Sequence, residues 1–240
     1  MPYELYYWPE IQGRGEFVRL ALEDAGADYV DVARQRGKGG GVEAMLRLMD
    51  GRTLARPPFA PPFLRSGEQL IGQTANILLF LGRRLGLAPR SEAGRLWAHQ
   101  LQLTIADLVD EAHDTHHPIA SSLYYEDQKR EAKRRTADFL GRRVPKYLGY
   151  FERLIEQSGG TWLLGRKLTY PDLSLFQVVA GLEYAFPRAF TQAAKAHPRI
   201  LALAGRVKER PRIAAYLSSP RRIPFNEMGI FRHYPELDRP

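Results

Sequence analysis

Apolar and polar positions alternate over Tyr3-Glu-Leu-Tyr-Tyr-Trp, which predicts a strand with Tyr3, Leu5 and Tyr7 on one face and Glu4, Tyr6 and Trp8 on the other. Pro9 ends it. After the loop Glu10-Ile-Gln-Gly, residues 15–25 show helical spacing, and Gly26 is placed to close that helix. Residues 28–33 read as a second strand. Phe63 and Leu64, a turn at Arg65-Ser-Gly-Glu, and Gln69 to Ile71 then predict a hairpin. A helix opens at Gly72-Gln-Thr and carries Ile77, Leu79, Phe80 and Leu81. Between the second strand and the hairpin, Gly37-Lys-Gly-Gly-Gly lacks the Gly-Lys-Ser/Thr ending of a phosphate loop and reads as a flexible connection. The order is βαβ–ββα.

The pattern then changes. Residues 85–91 (Leu-Gly-Leu-Ala-Pro-Arg-Ser) read as a linker, and beyond it strands disappear in favour of long amphipathic helices. One is expected from Glu92 to about His117, with Leu96, Leu103, Leu108 and Val109 among its apolar positions. A second is expected from Glu126 to about Gln157, kinked or broken at Pro145. Thr169 and Asp172 form a capping-box pair with Pro171 in the first turn and Leu168 placed as a staple, which predicts a further helix start. Shorter helices are expected around 200–207 and 212–217, followed by an aromatic tail from Phe225 to Tyr234. The fold class is therefore α/β plus all-α: an N-terminal domain over 1–84 and an all-helical domain over 92–240.

Composition narrows the chemistry more than the fold. The 240 residues include no cysteine, which excludes disulfides, a cysteine nucleophile and thiolate metal sites. No apolar run reaches membrane-spanning length, and Met-Pro-Tyr-Glu does not resemble a signal peptide, so a cytoplasmic protein with no membrane partner is expected. The net charge is +8, from 35 basic and 27 acidic residues. The basic residues are interspersed with acids along helices, as in Asp127-Gln-Lys-Arg-Glu-Ala-Lys-Arg-Arg, and lack interleaved aromatics. That is a solvated helix face, and no nucleic-acid partner is expected.

Two features of residues 59–77 bear on binding. Pro61-Pro62 stands where a strand should begin, a place where a cis X-Pro bond is expected. Gln73 and Thr74 fall in the first turn of a helix, whose unpaired N–H groups and positive dipole end favour a carboxylate or phosphate. The pattern Pro-Phe-Leu, acidic hairpin, then Gln-Thr at a helix start resembles the glutathione-binding half of cytosolic glutathione transferases. Tyr7-Trp8-Pro9 resembles the Tyr-Phe-Pro of the tyrosine-type members, and Gly13-Arg14 their following Gly-Arg. The pair Thr169 and Asp172 resembles the box that opens their buried sixth helix. The likeness covers nearly the whole chain and implies a thioredoxin-like domain followed by an all-helical one.

The resemblance implies an enzyme that activates the glutathione thiol for conjugation to a hydrophobic electrophile, or for peroxide reduction, in detoxification. A free thiol has a pKa of about 8.5, so a hydroxyl that donates to the thiolate enlarges the reactive population. Tyr7 is the candidate donor; Tyr6 is the rival, on the opposite strand face, and a serine or no donor remains open. Thr74 and the helix start would hold the γ-glutamyl carboxylate with Gln73 beside it, and Pro61 and Pro62 would meet the cysteinyl backbone. Pro61 departs from the pattern, having a C=O but no N–H to offer. Glu111, with Asp110 adjacent, lines up with the acid that reaches the γ-glutamyl amine across a homodimer. Arg14 would brace the site, and Lys38 would meet the glycyl carboxylate. Trp8, Ile11 and His113 would line the electrophile pocket. A non-catalytic binding or interaction module on the same fold is the alternative.

His113 and His117 stand at i, i+4, a spacing that binds zinc in other contexts. With no adjacent glutamate and no third ligand expected nearby, no metal is expected.

Overall fold

The computed structural model describes residues 2–52, 54–159 and 161–239. The chain divides into two compact units, one formed by the residues up to His99 together with Arg210–Pro224, the other by Gln100–Glu209 and Phe225–Pro240.

The first unit is built on a four-stranded sheet of order β2-β1-β3-β4. Strand β1 (Tyr3–Tyr6) runs parallel to β2 (Tyr29–Asp31) and antiparallel to β3 (Phe63–Ser66), which pairs antiparallel with β4 (Gln69–Gly72). The alternation read in β1 sorts its side chains onto two cores. Leu5 joins Val18, Leu22, Leu64, Ile77 and Leu81 under α1 (Gly15–Ala25) and α3 (Thr74–Arg84). Tyr6 joins Val32, Ala44, Met45 and Phe63 on the other face, under α2 (Gly41–Asp50), and stacks on Phe63 with ring centroids 4.8 Å apart. Gly26 closes α1 in the left-handed conformation at φ 64°, its N–H returning to Leu22 and Glu23 carbonyls, as a helix C-terminus requires.

Helix α2 follows the glycine run at once, so the segment expected to be only a flexible connection ends in a helix start. Residues Val42, Met45, Leu48 and Met49 give it the apolar stripe that packs on the sheet. The ββα half of the predicted order is therefore preceded by a helix that covers the second face.

A buried ion-pair network joins the 210–224 segment to α1. Arg19, fully buried, bonds Asp31 at 2.7 Å and Glu16 at 3.2 Å. Glu16 also accepts from the Tyr216 hydroxyl at 2.7 Å and pairs with Arg222. Asp24 pairs with Arg210, and Glu23 with Arg221. Tyr216 lies on α10 (Pro211–Leu217), which packs along α1. These buried carboxylates tolerate burial because each has a guanidinium or hydroxyl against it.

The second unit is helical. It takes up the greater part of α4 (Glu92–Asp114), then a 3-10 turn (Tyr125–Gln128), α5 (Lys129–Asp138), α6 (Val144–Gln157), α7 (Tyr170–Ala185), α8 (Pro187–Ala194) and α9 (Pro198–Lys208). The expected long helix over 126–157 is interrupted by a π-helical turn at Phe139–Arg143. Pro145 then sits in the first turn of α6, where its missing N–H removes no hydrogen bond. The predicted capping box is formed: Asp172 accepts from the Thr169 N–H and hydroxyl, both at 2.7 Å, and from the Leu163 N–H at 2.8 Å. The helix it opens is apolar on nearly every side and almost wholly buried. Helix α8 lay outside the sequence reading. Its first N–H groups, from Arg188 and Ala189, donate to the buried Asp238 carboxylate at 3.0 and 2.9 Å, which folds the C-terminal segment back onto it. No described helix is long and apolar enough to cross a membrane.

Candidate active site

Strand register brings the predicted residues together. Tyr6 faces Phe63 across β1 and β3, and Phe63 faces Gly72 across β3 and β4. The next residue outward on each of these three neighbouring strands is Tyr7, Pro62 and Gln73. The Pro61–Pro62 bond is cis, as the sequence led one to expect, and β3 begins immediately after it.

Tyr7 is buried, and its hydroxyl oxygen accepts the Arg14 backbone N–H at 2.8 Å. Two glycines permit this close approach. A Cβ on Gly13, which has φ 45°, would overlap the Tyr7 hydroxyl, and one on Gly15 would stand 2.5 Å from the Tyr7 ring. The loop from Trp8 to Arg14 thus wraps the phenol, and α1 begins directly after it. Burial raises the Tyr7 pKa above its ordinary value, against the lowering effect of the Arg14 N–H and of the Arg14 and Arg19 charges. Near neutral pH the group is a phenol whose oxygen is engaged by an N–H and whose own proton is available to donate. Tyr6 is committed elsewhere: its hydroxyl donates to Glu4 at 2.7 Å on the α2 side of the sheet.

Gln73 is the residue before α3 and holds φ 67°, ψ 119°, a region that non-glycine residues rarely occupy. That conformation was not visible in the sequence. Thr74 is the first residue of α3, half-buried, and its hydroxyl lies 3.5 Å from the Arg14 carbonyl oxygen. The Arg14 backbone therefore lies between Tyr7 and Thr74, its N–H on one and its C=O on the other. The open N–H groups of the α3 N-terminus stand beside the exposed Gln73.

Of the remaining predicted residues, Lys38, Trp8 and Ile11 belong to the first unit and Glu111 and His113 to the second. Lys38 lines a cleft of about 280 Å³ with Tyr6, Glu4, Arg36 and Arg65; neither Tyr7 nor Thr74 lines it. Trp8 is 38% exposed and Ile11 half-buried, both in the first unit. Glu111 lies in the second unit, where Arg143 grips its carboxylate at 2.6 to 3.0 Å, the Tyr147 hydroxyl donates at 2.8 Å and Arg135 stands at 3.4 Å. The Arg143 hydrogen bonds, then Tyr147 and the Arg135 charge, draw the Glu111 pKa down to about 2, against the opposing effect of burial. Its neighbour Asp110 is exposed.

His113 belongs to a cluster in the second unit. The expectation that no third ligand lies near His113 and His117 is corrected here, because the end of α4 brings His116 beside both. Donor atoms of the three rings lie within 4.8 Å of one another.

Residues 113–220 match the family model of the glutathione S-transferase C-terminal domain. Over 237 residues the chain is 27% identical to glutathione S-transferase P of Homo sapiens, covering 95% of this chain and 98% of that protein. It is 24% identical over 190 residues to the glutathione S-transferase of Plasmodium falciparum, covering 76% and 81%. Along nearly its whole length the chain is similar to glutathione S-transferases. In fold, the chain resembles the solved Pi-class glutathione S-transferase of Onchocerca volvulus, with a TM-score of 0.68 at 22% identity over 90% of this chain and 92% of that one. The thioredoxin-like first unit, with its helices on both sheet faces, is the scaffold whose strand register sets Tyr7, Pro62 and Gln73 at neighbouring strand ends.

Proposed function

We propose that this transferase activates the thiol of glutathione with the Tyr7 hydroxyl and passes the sulfur to a hydrophobic electrophile. The observation that carries the reading is the Tyr7 hydroxyl, held by the Arg14 N–H at the strand ends where Pro62 and Gln73 also emerge. A phenol kept protonated by burial donates to a thiolate more favourably than to a thiol, so it stabilises the charged sulfur. The α3 N-terminus supplies the anion site for the γ-glutamyl carboxylate, with Thr74 and Gln73 lining it and the Arg14 backbone fixing Thr74. The Pro61 carbonyl accepts from the cysteinyl N–H.

Relatives that align over nearly the whole chain carry the name of a transferase, which favours the enzyme over a non-catalytic module on the same fold. Conjugation of glutathione to a chloronitrobenzene, followed spectrophotometrically after capture on glutathione-agarose, tests the reading. Capture with turnover supports it; capture without turnover returns the non-catalytic module.

The same reading includes a cytoplasmic, detoxifying homodimer that takes a peroxide as an alternative electrophile, with Trp8 and Ile11 toward the electrophile. Exposed apolar side chains suit a partner surface: Phe59 is 92% exposed, and on α4 Leu96 and Leu103 are 64% and 47% exposed at i, i+7. Light scattering at micromolar concentration is expected to give twice the chain mass of 27.3 kDa. With its carboxylate engaged by Arg143 and Tyr147, Glu111 is assigned to bracing α4 against α6.

A further inference from the structure

At the end of α4, His113, His116 and His117 form a compact group of imidazoles, with ring centroids 4.8 to 5.0 Å apart. The one-turn spacing puts His113 and His117 on the same helix edge, where they stack at 24°. His116 lies beside them because the helix ends at Asp114 and the chain tightens into a turn, with the His116 and His117 N–H groups both returning to the His113 carbonyl at 3.3 Å.

Two of the rings have their tautomers set by backbone carbonyls. His116 Nε2 stands 2.8 Å from the Ile230 oxygen, so Nε2 bears the hydrogen and Nδ1 the lone pair. His117 Nδ1 stands 3.0 Å from the Leu123 oxygen, so its lone pair is on Nε2. A carbonyl behind each imidazole is the arrangement that fixes ring orientation and raises basicity in metal-binding histidines. His116 is 1% exposed, and its Nδ1 has no hydrogen-bond partner. A buried lone pair without a donor is costly unless something fills the position. Water-level access remains through His113 and His117, which are half-buried.

The geometry points to a transition-metal site formed by His113, His116 and His117, suited to a borderline divalent cation such as Zn²⁺ or Ni²⁺. Three imidazole nitrogen donors match that class of ion, whereas calcium and magnesium require oxygen ligands. Metal–nitrogen bonds of about 2.0–2.1 Å in a tetrahedron bring donor atoms to about 3.3 Å apart. The present separation of up to 4.8 Å therefore contracts by about 1.5 Å, within reach of rotation at the half-buried His113 and His117.

Charge limits the affinity. Arg232, whose guanidinium is held by the Gly229 carbonyl at 2.8 Å, acts against positive charge at His116 and His117, while Asp114 acts in its favour at His117. Asp114 itself faces Arg135 at 3.9 Å. The neighbouring guanidinium accordingly weakens cation binding at this site. Bound metal would tie the end of α4 to the loop held by Leu123 and to the C-terminal segment held by Ile230.

The test is independent of transferase activity. Zn²⁺ is titrated calorimetrically into the chelator-treated full chain, with Co²⁺ added in parallel to read the intense visible bands of a tetrahedral nitrogen site. The expected result is one equivalent bound per chain, with the melting temperature raised by about 5 °C or more at hundredfold excess over the dissociation constant. His113→Ala and His117→Ala, both at half-buried positions, are each expected to weaken binding at least tenfold, whereas His99→Ala and His197→Ala leave it unchanged. His116→Gln, which keeps a polar group in the buried position, is expected to abolish the cobalt bands. Absence of saturable binding, or binding that survives His113→Ala and His117→Ala together, overturns the assignment.

Discussion

The Arg14 backbone N–H donates to the Tyr7 hydroxyl oxygen at 2.8 Å while the Arg14 carbonyl stands 3.5 Å from the Thr74 hydroxyl. One peptide segment thus contacts both the proposed thiol donor and the residue that opens α3. Its position depends on the absence of side chains at Gly13 and Gly15, since a methyl group at either would collide with Tyr7.

Gly15→Ala is therefore expected to displace the phenol. Its φ is ordinary, so the cost arises from overlap with the Tyr7 ring rather than from backbone conformation. Overpacking of this kind costs about 1–3 kcal/mol of stability. Turnover with glutathione and a chloronitrobenzene should fall at least tenfold at a temperature where the variant remains folded by circular dichroism. Wild-type turnover in a folded Gly15→Ala protein would contradict the loop's role.

Pro61 offers a C=O but no N–H, so in the proposed binding mode the cysteinyl carbonyl of glutathione would lack a donor at this position. A neutral hydrogen bond contributes about 0.5–1.5 kcal/mol net. Pro61→Ala restores the N–H and is expected to tighten glutathione binding by up to about tenfold, measured by calorimetry. Equal or weaker binding by a folded variant would mean that the missing donor does not limit affinity.

How much of this was legible in the sequence depends on how local each signal is. The capping box of Thr169 and Asp172, the closing Gly26 and the cis bond at Pro62 are encoded in a few adjacent residues, and all three appear where the sequence put them. The alternation of β1 also separated Tyr6 from Tyr7 correctly, because strand parity requires no tertiary information. Helix α2 was hidden by the glycine run before it, and α8 by its dependence on Asp238, fifty residues away in the chain. Leu96 and Leu103 were read as apolar positions of α4 without a burial state, and they are exposed. The engagement of Glu111 by Arg143, and the joining of Glu16 to Tyr216 and Arg222, are long-range pairings that no spacing rule reveals. The unusual backbone at Gln73 likewise arises from the junction of β4 and α3 rather than from its own side chain.

Glu111 makes a pH-dependent contribution to stability. Its folded-state pKa is drawn down to about 2 from an ordinary 4.5, chiefly by the Arg143 hydrogen bonds. Between those values the unfolded chain binds the proton more tightly, so the stabilisation is present above pH 4.5 and is lost as pH falls toward 2. Glu111→Gln removes the charge and is expected to lower stability at pH 7 by about 1.5–3 kcal/mol in urea unfolding. The gap between the two proteins should narrow as pH falls through that window. A gap that stays constant from pH 7 to pH 3 would show that the ion pairs contribute nothing.

Tyr7→Phe tests the central claim most directly, because it keeps the ring and removes only the hydroxyl that the Arg14 N–H engages. Loss of one electrostatic donor is expected to reduce turnover with glutathione and a chloronitrobenzene by about 10- to 1,000-fold, with glutathione affinity little changed. The pKa of the bound thiol, read from the ultraviolet absorbance of the thiolate against pH, should rise toward its free value of about 8.5 in the variant. Turnover and thiol pKa that both match the wild-type protein would contradict the assignment of Tyr7 as the thiol-activating donor.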